Sequence, residues 1–165
     1  MKFFSGKDTD KEKEKKVEEI ILQNYDSYYR LAYSYVHNEA DAGDIVQNGV
    51  YRAIRSSHKL KKVEYAATWV YRIMQNEIFR LCNEKKTEVV SLDEIPVEPV
   101  SEDVYSNMDL QSALNLLSPK DKAIVELRFF EDKKIEEIAQ ILDENVSTVK
   151  SRLYRSMKKL RIELE

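Results

Sequence analysis

The segment KKIEEIAQILDENVSTVKSRLYRSMKKL, residues 133–160, decides how the C-terminal part of this chain folds. Ile135, Ile138, Ala139 and Leu142 recur at three- and four-residue steps and predict a short helix with one buried face. The pattern breaks at Asp143–Asn145 and resumes as a longer helix, on which Val149, Leu153, Met157 and Leu160 form an apolar arc. The small Ala139 lets the two helices cross closely. Thr148, Ser151, Arg152, Arg155 and Lys159 fall on the opposite arc of the second helix. Small hydroxyls at the N-terminal end permit close approach to base edges. Arg can bond guanine bidentately, and further Lys or Arg neutralise phosphates. The segment therefore predicts a DNA-reading helix-turn-helix.

Charge sharpens that reading. The 165-residue chain has a net charge of −3, yet residues 147–162 hold six Lys/Arg and no acid. A solvated surface helix usually mixes both signs, because Glu–Lys pairs stabilise it. A basic amphipathic helix could also lie on an anionic membrane, but its apolar arc would have to be free to insert. Here the preceding helix claims that arc. Elsewhere, residues 51–86 carry nine Lys/Arg against three Glu, while residues 88–109 carry seven acids and no Lys or Arg. The order is basic, acidic, basic, so a modest net charge conceals two cationic surfaces.

Working toward the N-terminus, LSPKDK marks a helix start, with Ser118 as N-cap and Pro119 at the first helical position. Residues 87–107 contain two prolines and no helical stripe, and read as an acidic linker. Upstream, helical periodicity covers about Glu14 to Tyr35, a second helix opens at Asn38, and a third runs from about Glu64 to Lys85. Residues 1–13 alternate Lys with acids and read as a disordered tail. Fold class is all-α: two small helical domains, 14–86 and 108–165, joined by the linker. No secretory signal or membrane-spanning run is visible, and the single Cys82 suits a cytoplasmic location.

Two surfaces of the first domain hold candidate chemistry. The second helix gathers Asp41, Asp44, Gln47, Asn48 and Tyr51 on one side and Ala42, Ile45, Val46, Val50 and Ala53 on the other. Two carboxylates a turn apart suggest a metal or acid–base pair only weakly, since the chain has just two histidines, His37 and His58. In the third helix Trp69, Val70, Ile73, Met74, Ile78 and Leu81 face inward, opposite Tyr65, Arg72, Asn76 and Phe79. The basic loop SHKLKKVEY precedes them. Aromatic, amide and cationic side chains interleaved in this way suit single-stranded DNA, by stacking, base-edge contact and backbone neutralisation. Trp69 is read mainly as core support behind that surface.

These residues resemble a known family. IEEIAQIL with VSTVKSRLYRSMKKLR is similar to region 4 of bacterial RNA polymerase sigma factors, especially the extracytoplasmic-function (ECF) group. LAYSYVHNEADAGDIVQNGVYRAIR and TWVYRIMQNEIFRLCNEKK are similar to that group's region 2. The departures are Gly43, where an acid is usual, and Asp143 and Ser147, where glycines are usual. Asn145 or Asp143 can supply a left-handed turn.

The resemblance implies a promoter-specificity subunit that attaches polymerase to promoters, in an envelope or other stress response. Region 2 would dock Asp41, Asp44, Gln47 and Asn48 on the clamp helices of the largest polymerase subunit. It would capture the −10 strand with His58, Lys59, Lys61, Lys62, Tyr65, Arg72 and Asn76. Region 4 would read the −35 element with Thr148, Lys150, Ser151, Arg152, Arg155 and Lys159, and would meet the flap of the second subunit. A membrane-anchored anti-sigma factor would hold the protein inactive. Two rivals stand beside this: a stand-alone dimeric helix-turn-helix regulator, and an enzyme acting on nucleic acid. The sequence offers no ligand pocket or phosphoacceptor domain for the first. For the second it offers no metal-ligand cluster, nucleophile–base set or phosphate-binding glycine loop. No cofactor, no metal and no catalysis are expected.

Overall fold

The computed structural model describes residues 8–89 and 105–164. Seven α-helices account for nearly all of them: α1 (Asp10–Val36), α2 (Glu39–Arg55), α3 (Ala66–Val89), α4 (Tyr105–Asn115), α5 (Pro119–Phe129), α6 (Ile135–Leu142) and α7 (Val146–Leu164). Single 3-10 turns at Ser57–Lys59 and Val63–Tyr65 lie between α2 and α3. The described residues include no strand. The fold is all-α, with two compact units that divide between Ile78 and Phe79.

In the N-terminal unit, α1 starts earlier than its periodicity suggests. Residues 8–13 were expected in a disordered tail, but Thr9 caps a helix that begins at Asp10. The Glu12 N–H donates to Thr9 Oγ1 at 3.1 Å, and the Thr9 N–H donates to Glu12 Oε1 at 3.2 Å. This reciprocal box satisfies two end donors that the helix cannot satisfy itself. Apolar periodicity missed it because residues 10–16 bury no stripe and take their helicity from cap and propensity alone. Residues 1–7 lie outside the described residues. At its other end α1 stops at His37, whose φ of 52° is left-handed and whose N–H donates to the Tyr33 carbonyl.

The core of this unit joins Val17, Ile20, Ile21, Tyr28, Leu31 and Ala32 of α1 with Ala42, Ile45, Val46 and Ala53 of α2. From α3 come Ala66, Val70, Tyr71, Met74 and Ile78. Each large apolar side chain so buried contributes about 1.5–3 kcal/mol. Tyr28 and Tyr71 meet edge to face with ring centroids 5.1 Å apart. Gly49 leaves room for the Met74 thioether between α2 and α3, which a Cβ there would overlap. An ion pair at 2.8 Å between Arg52 and the nearly buried Glu77 also joins these helices.

The linker expected at 87–107 is helical at both of its described ends. Residues 87–89 continue α3, and 105–107 already belong to α4. Neither Pro nor Gly stands in α3, so its helical hydrogen bonding runs unbroken to Val89. The remainder of the proposed linker lies outside the described residues.

In the C-terminal unit α5 is the central element. Six consecutive residues, Lys122 to Leu127, are buried, so the helix is covered all round. Ser118 caps it, with Oγ accepting from the Asp121 N–H, and Pro119 opens it. Burial lowers the Lys122 pKa, and its Nζ donates to Asn115 Oδ1 at 2.8 Å. Around α5 lie α6 and α7, and α4 packs on α7. From α6 the buried residues are Ile138, Ala139, Ile141 and Leu142, with Ile135 only half-buried.

Candidate nucleic-acid interface

The α6–α7 turn depends on Asp143, which adopts φ 57° and ψ 50°. Its short side chain tolerates the left-handed region where most residues would be strained. The Glu144 N–H then closes back on the Ala139 carbonyl at 2.9 Å, and α7 begins at Val146.

The buried stripe of α7 is Val149, Leu153, Ser156 and Leu160. Met157, expected in that stripe, is 38% exposed. Two successive four-residue steps drift about 80° around a helix, whereas a four and a three return to within about 20°. The exposed face is accordingly rotated from the one the sequence suggested. Lys150, Ser151, Arg155 and Lys159 are exposed and Thr148 is half-buried. Ser147, Tyr154 and Lys158 share the exposed side, with Tyr154 exposed to 74%. Tyr154 was missed because one aromatic on a basic face has no periodic apolar partner to mark it.

Arg152 sits differently from its neighbours. Its side chain is 30% exposed, and Nη1 donates to Asp121 Oδ1 at 2.8 Å in the first turn of α5. Beside this pair, Lys120 of α5 bonds Glu144 at the turn. That hydrogen bond, and then the Lys120 charge, hold the Glu144 carboxyl below its ordinary pKa. Two ion pairs thus fasten the turn and α7 to the start of α5. Arg152, expected among the base-reading residues, is engaged within its own domain, and no periodicity argument could have located its partner 31 residues away.

In the N-terminal unit the loop before α3 is pinned by its buried residues. Ser57 and Leu60 point inward, leaving His58, Lys59, Lys61 and Lys62 exposed around them. The Leu60 N–H donates to the Ser57 carbonyl and the Tyr65 N–H to the Lys62 carbonyl, each at 3.0 Å. The start of α1 reaches the same loop: Asp8 Oδ2 accepts from the Val63 N–H at 3.1 Å, and Lys13 Nζ donates to the His58 carbonyl at 3.4 Å. Tyr65, Arg72 and Asn76 are exposed, with half-buried Trp69 between them at helical spacing. The basic loop and this aromatic–amide face therefore belong to one continuous stretch of chain with outward-facing side chains.

On α2, Asp44, Gln47, Asn48 and Tyr51 are exposed and Asp41 is half-buried. The Arg55 guanidinium lies 5.6 Å from the Tyr51 ring centroid and donates to its hydroxyl at 2.6 Å. Together with Tyr25, Val50, Ile54 and Gln47 they line an open groove of about 380 Å³. The groove was not legible in sequence, because it needs α1 and α2 side by side. Among the described residues no three His, Cys, Asp or Glu side chains gather as a metal site, and no helix is long and apolar enough to cross a membrane.

Comparison with known proteins agrees with this geometry. Residues 20–87 match the Sigma-70 region 2 model and residues 107–160 match the Sigma-70 region 4 model. The chain is 43% identical over 148 residues to the RNA polymerase sigma factor SigV of Bacillus subtilis, covering 87% of this chain and 88% of that protein. It is 32% identical over 154 residues to the ECF RNA polymerase sigma factor SigE of Mycolicibacterium smegmatis, covering 87% of this chain and 60% of that protein. The fold resembles that of the sigma factor RpoE from Bartonella quintana, with a TM-score of 0.72, 22% identity, and 89% and 95% of the two chains covered. The chain belongs to the sigma-70 family of RNA polymerase sigma factors, in its ECF group.

Proposed function

We propose that this sigma factor divides promoter recognition between two surfaces: α7 on the −35 element as duplex, and the 57–65 loop with Tyr65, Arg72 and Asn76 on the −10 strand. The observation that carries the reading is the exposed face of α7, where Lys150, Ser151, Arg155, Lys158 and Lys159 present cations and a hydroxyl without an acid among them. Arg155 is the base-reading arginine in this proposal. Lys159 and Lys150 take phosphates, and Arg152 positions the helix. Tyr154 is placed to contact a thymine methyl or sugar, as apolar groups do in the major groove.

Asp41, Asp44, Gln47 and Asn48 present carboxylates and amides to basic and amide groups of the polymerase clamp helices. Region 4 meets the flap. The protein's part in transcription is binding and positioning; the bond chemistry belongs to the core polymerase. The RpoE neighbour was solved with the anti-sigma factor NepR. By extension, an anti-sigma factor, membrane-anchored in our proposal, holds this chain inactive in the cytoplasm until an envelope or other stress frees it.

Each module alone binds weakly, and fixing both on one polymerase raises their effective concentration for each other. The test is run-off transcription of fragmented genomic DNA with added core polymerase. Discrete start sites that require this protein support the reading. A tight homodimer footprinting a palindrome without polymerase would contradict it.

A further inference from the structure

We infer that Asp8 is a positioning residue for −10 recognition, holding the strand-capturing loop in shape from the start of α1. The inference rests on the proposed role of that loop. The Val63 N–H opens a 3-10 turn, and the first N–H groups of such a turn have no partner within it. Asp8 Oδ2 supplies that partner at 3.1 Å from 55 residues away. Lys13, one turn along α1, donates to the His58 carbonyl at 3.4 Å. The two contacts bracket the exposed Lys59, Lys61 and Lys62, one at each end of the loop. Leu60 anchors the loop between them from beneath.

An exposed cationic loop would otherwise be free to sample many shapes, and a flexible loop loses entropy each time it closes on a strand. Holding the loop beforehand reduces that loss and fixes which base edges its side chains can reach. The Asp8 oxygen accepts from a backbone N–H, so it serves the geometry of the loop, and the exposed His58, Lys59, Lys61 and Lys62 are left to the DNA backbone.

The test uses full-length protein bound to core polymerase, on a promoter recovered by run-off mapping. That promoter is supplied as duplex, as a template with the −10 segment pre-opened, and as a pre-opened template with that segment's bases permuted. Wild-type holoenzyme should favour the native pre-opened strand over the permuted one. Asp8→Ala should lose about three- to tenfold of that preference, the scale of one hydrogen bond. Core-polymerase affinity should not change, and unfolding stability should fall by no more than the worth of one hydrogen bond. Asp8→Asn keeps an accepting oxygen and should restore the preference. Val63→Pro deletes the donor and should give the same loss, with no further loss when combined with Asp8→Ala.

The inference is overturned if Asp8→Ala discriminates as wild type does, if its loss appears only together with reduced core binding, or if unfolding stability falls by much more than the worth of one hydrogen bond. A wild-type holoenzyme that shows no preference between native and permuted strands instead removes the loop's proposed role, which is a separable result.

Discussion

Arg152 on α7 and Asp121 at the start of α5 form a 2.8 Å ion pair, with both side chains mostly shielded from water. The pair ties α7 to α5 beside the buried stripe of Val149, Leu153, Ser156 and Leu160, which sets the rotation of the helix. Removing Asp121 leaves a guanidinium half-buried with its Nε already lacking a hydrogen-bond partner. Breaking a buried pair costs about 3–5 kcal/mol, and partial exposure brings the expectation here to about 1–3 kcal/mol. Asp121→Ala should lower the unfolding free energy of the C-terminal unit by that amount, read as a fall in its urea midpoint. It should also weaken −35 binding alike on all promoter variants, measured by quantitative footprinting with holoenzyme.

The outward cations should divide by role. Arg155→Ala is expected to cost about 1–3 kcal/mol at one −35 base pair and to relax preference there. Lys159→Ala should weaken binding uniformly and reduce the salt slope by about 1. Footprint titrations at several salt concentrations on single-base promoter variants separate the two patterns.

Two glycines in α2 should respond oppositely. Nothing lies within 4 Å of a Cβ added at Gly43, so Gly43→Ala should stabilise the N-terminal unit by up to about 1 kcal/mol through helix propensity. Gly49→Ala puts a methyl against the flexible end of the buried Met74, so its overpacking cost offsets or outweighs the propensity gain, for a net loss of up to about 2 kcal/mol. Denaturant unfolding of the two variants checks both signs.

Stability should depend on pH at two places. Burial, and then the neighbouring Tyr71, raise the Tyr28 pKa above its ordinary 10.0. Asn24, which could ease this, donates to the Ile20 carbonyl, and no hydrogen bond closes on the phenol. Above pH 10 the unfolded phenol ionises while the folded one resists, so stability is present in full below 10 and lost as pH climbs. Tyr28→Phe should remove that loss. Glu144 has the opposite sign: its folded pKa is depressed, so its contribution is present above the ordinary carboxylate range and lost as pH falls through the folded value. Glu144→Gln should flatten the acid limb of the C-terminal transition, read as urea midpoint against pH.

Much of this architecture was legible because burial is periodic. The two helices at 135–142 and 146–164, the Ser118–Pro119 start and the Asn38 cap follow from local chemistry that acts within a few residues. What escaped was non-local or free of apolar pattern. The Arg152–Asp121 and Asp8–Val63 contacts join residues 31 and 55 apart, and no helical period encodes them. The first turn of α1 is specified by a capping box in a wholly polar stretch, so a search for hydrophobic stripes overlooked it. Met157 and Ser156 differ by one residue, and only the packed interface decides which of them turns inward.

Two separate DNA-reading surfaces acting together on one polymerase should be visible in transcription from a randomised promoter library with sequencing of the initiated products. Wild-type holoenzyme should select bases in two windows separated by a spacer, with Arg155→Ala relaxing only the upstream window and Asn76→Ala only the downstream one. A single palindromic window, or two variants that relax the same positions, would rule out two separate reading surfaces.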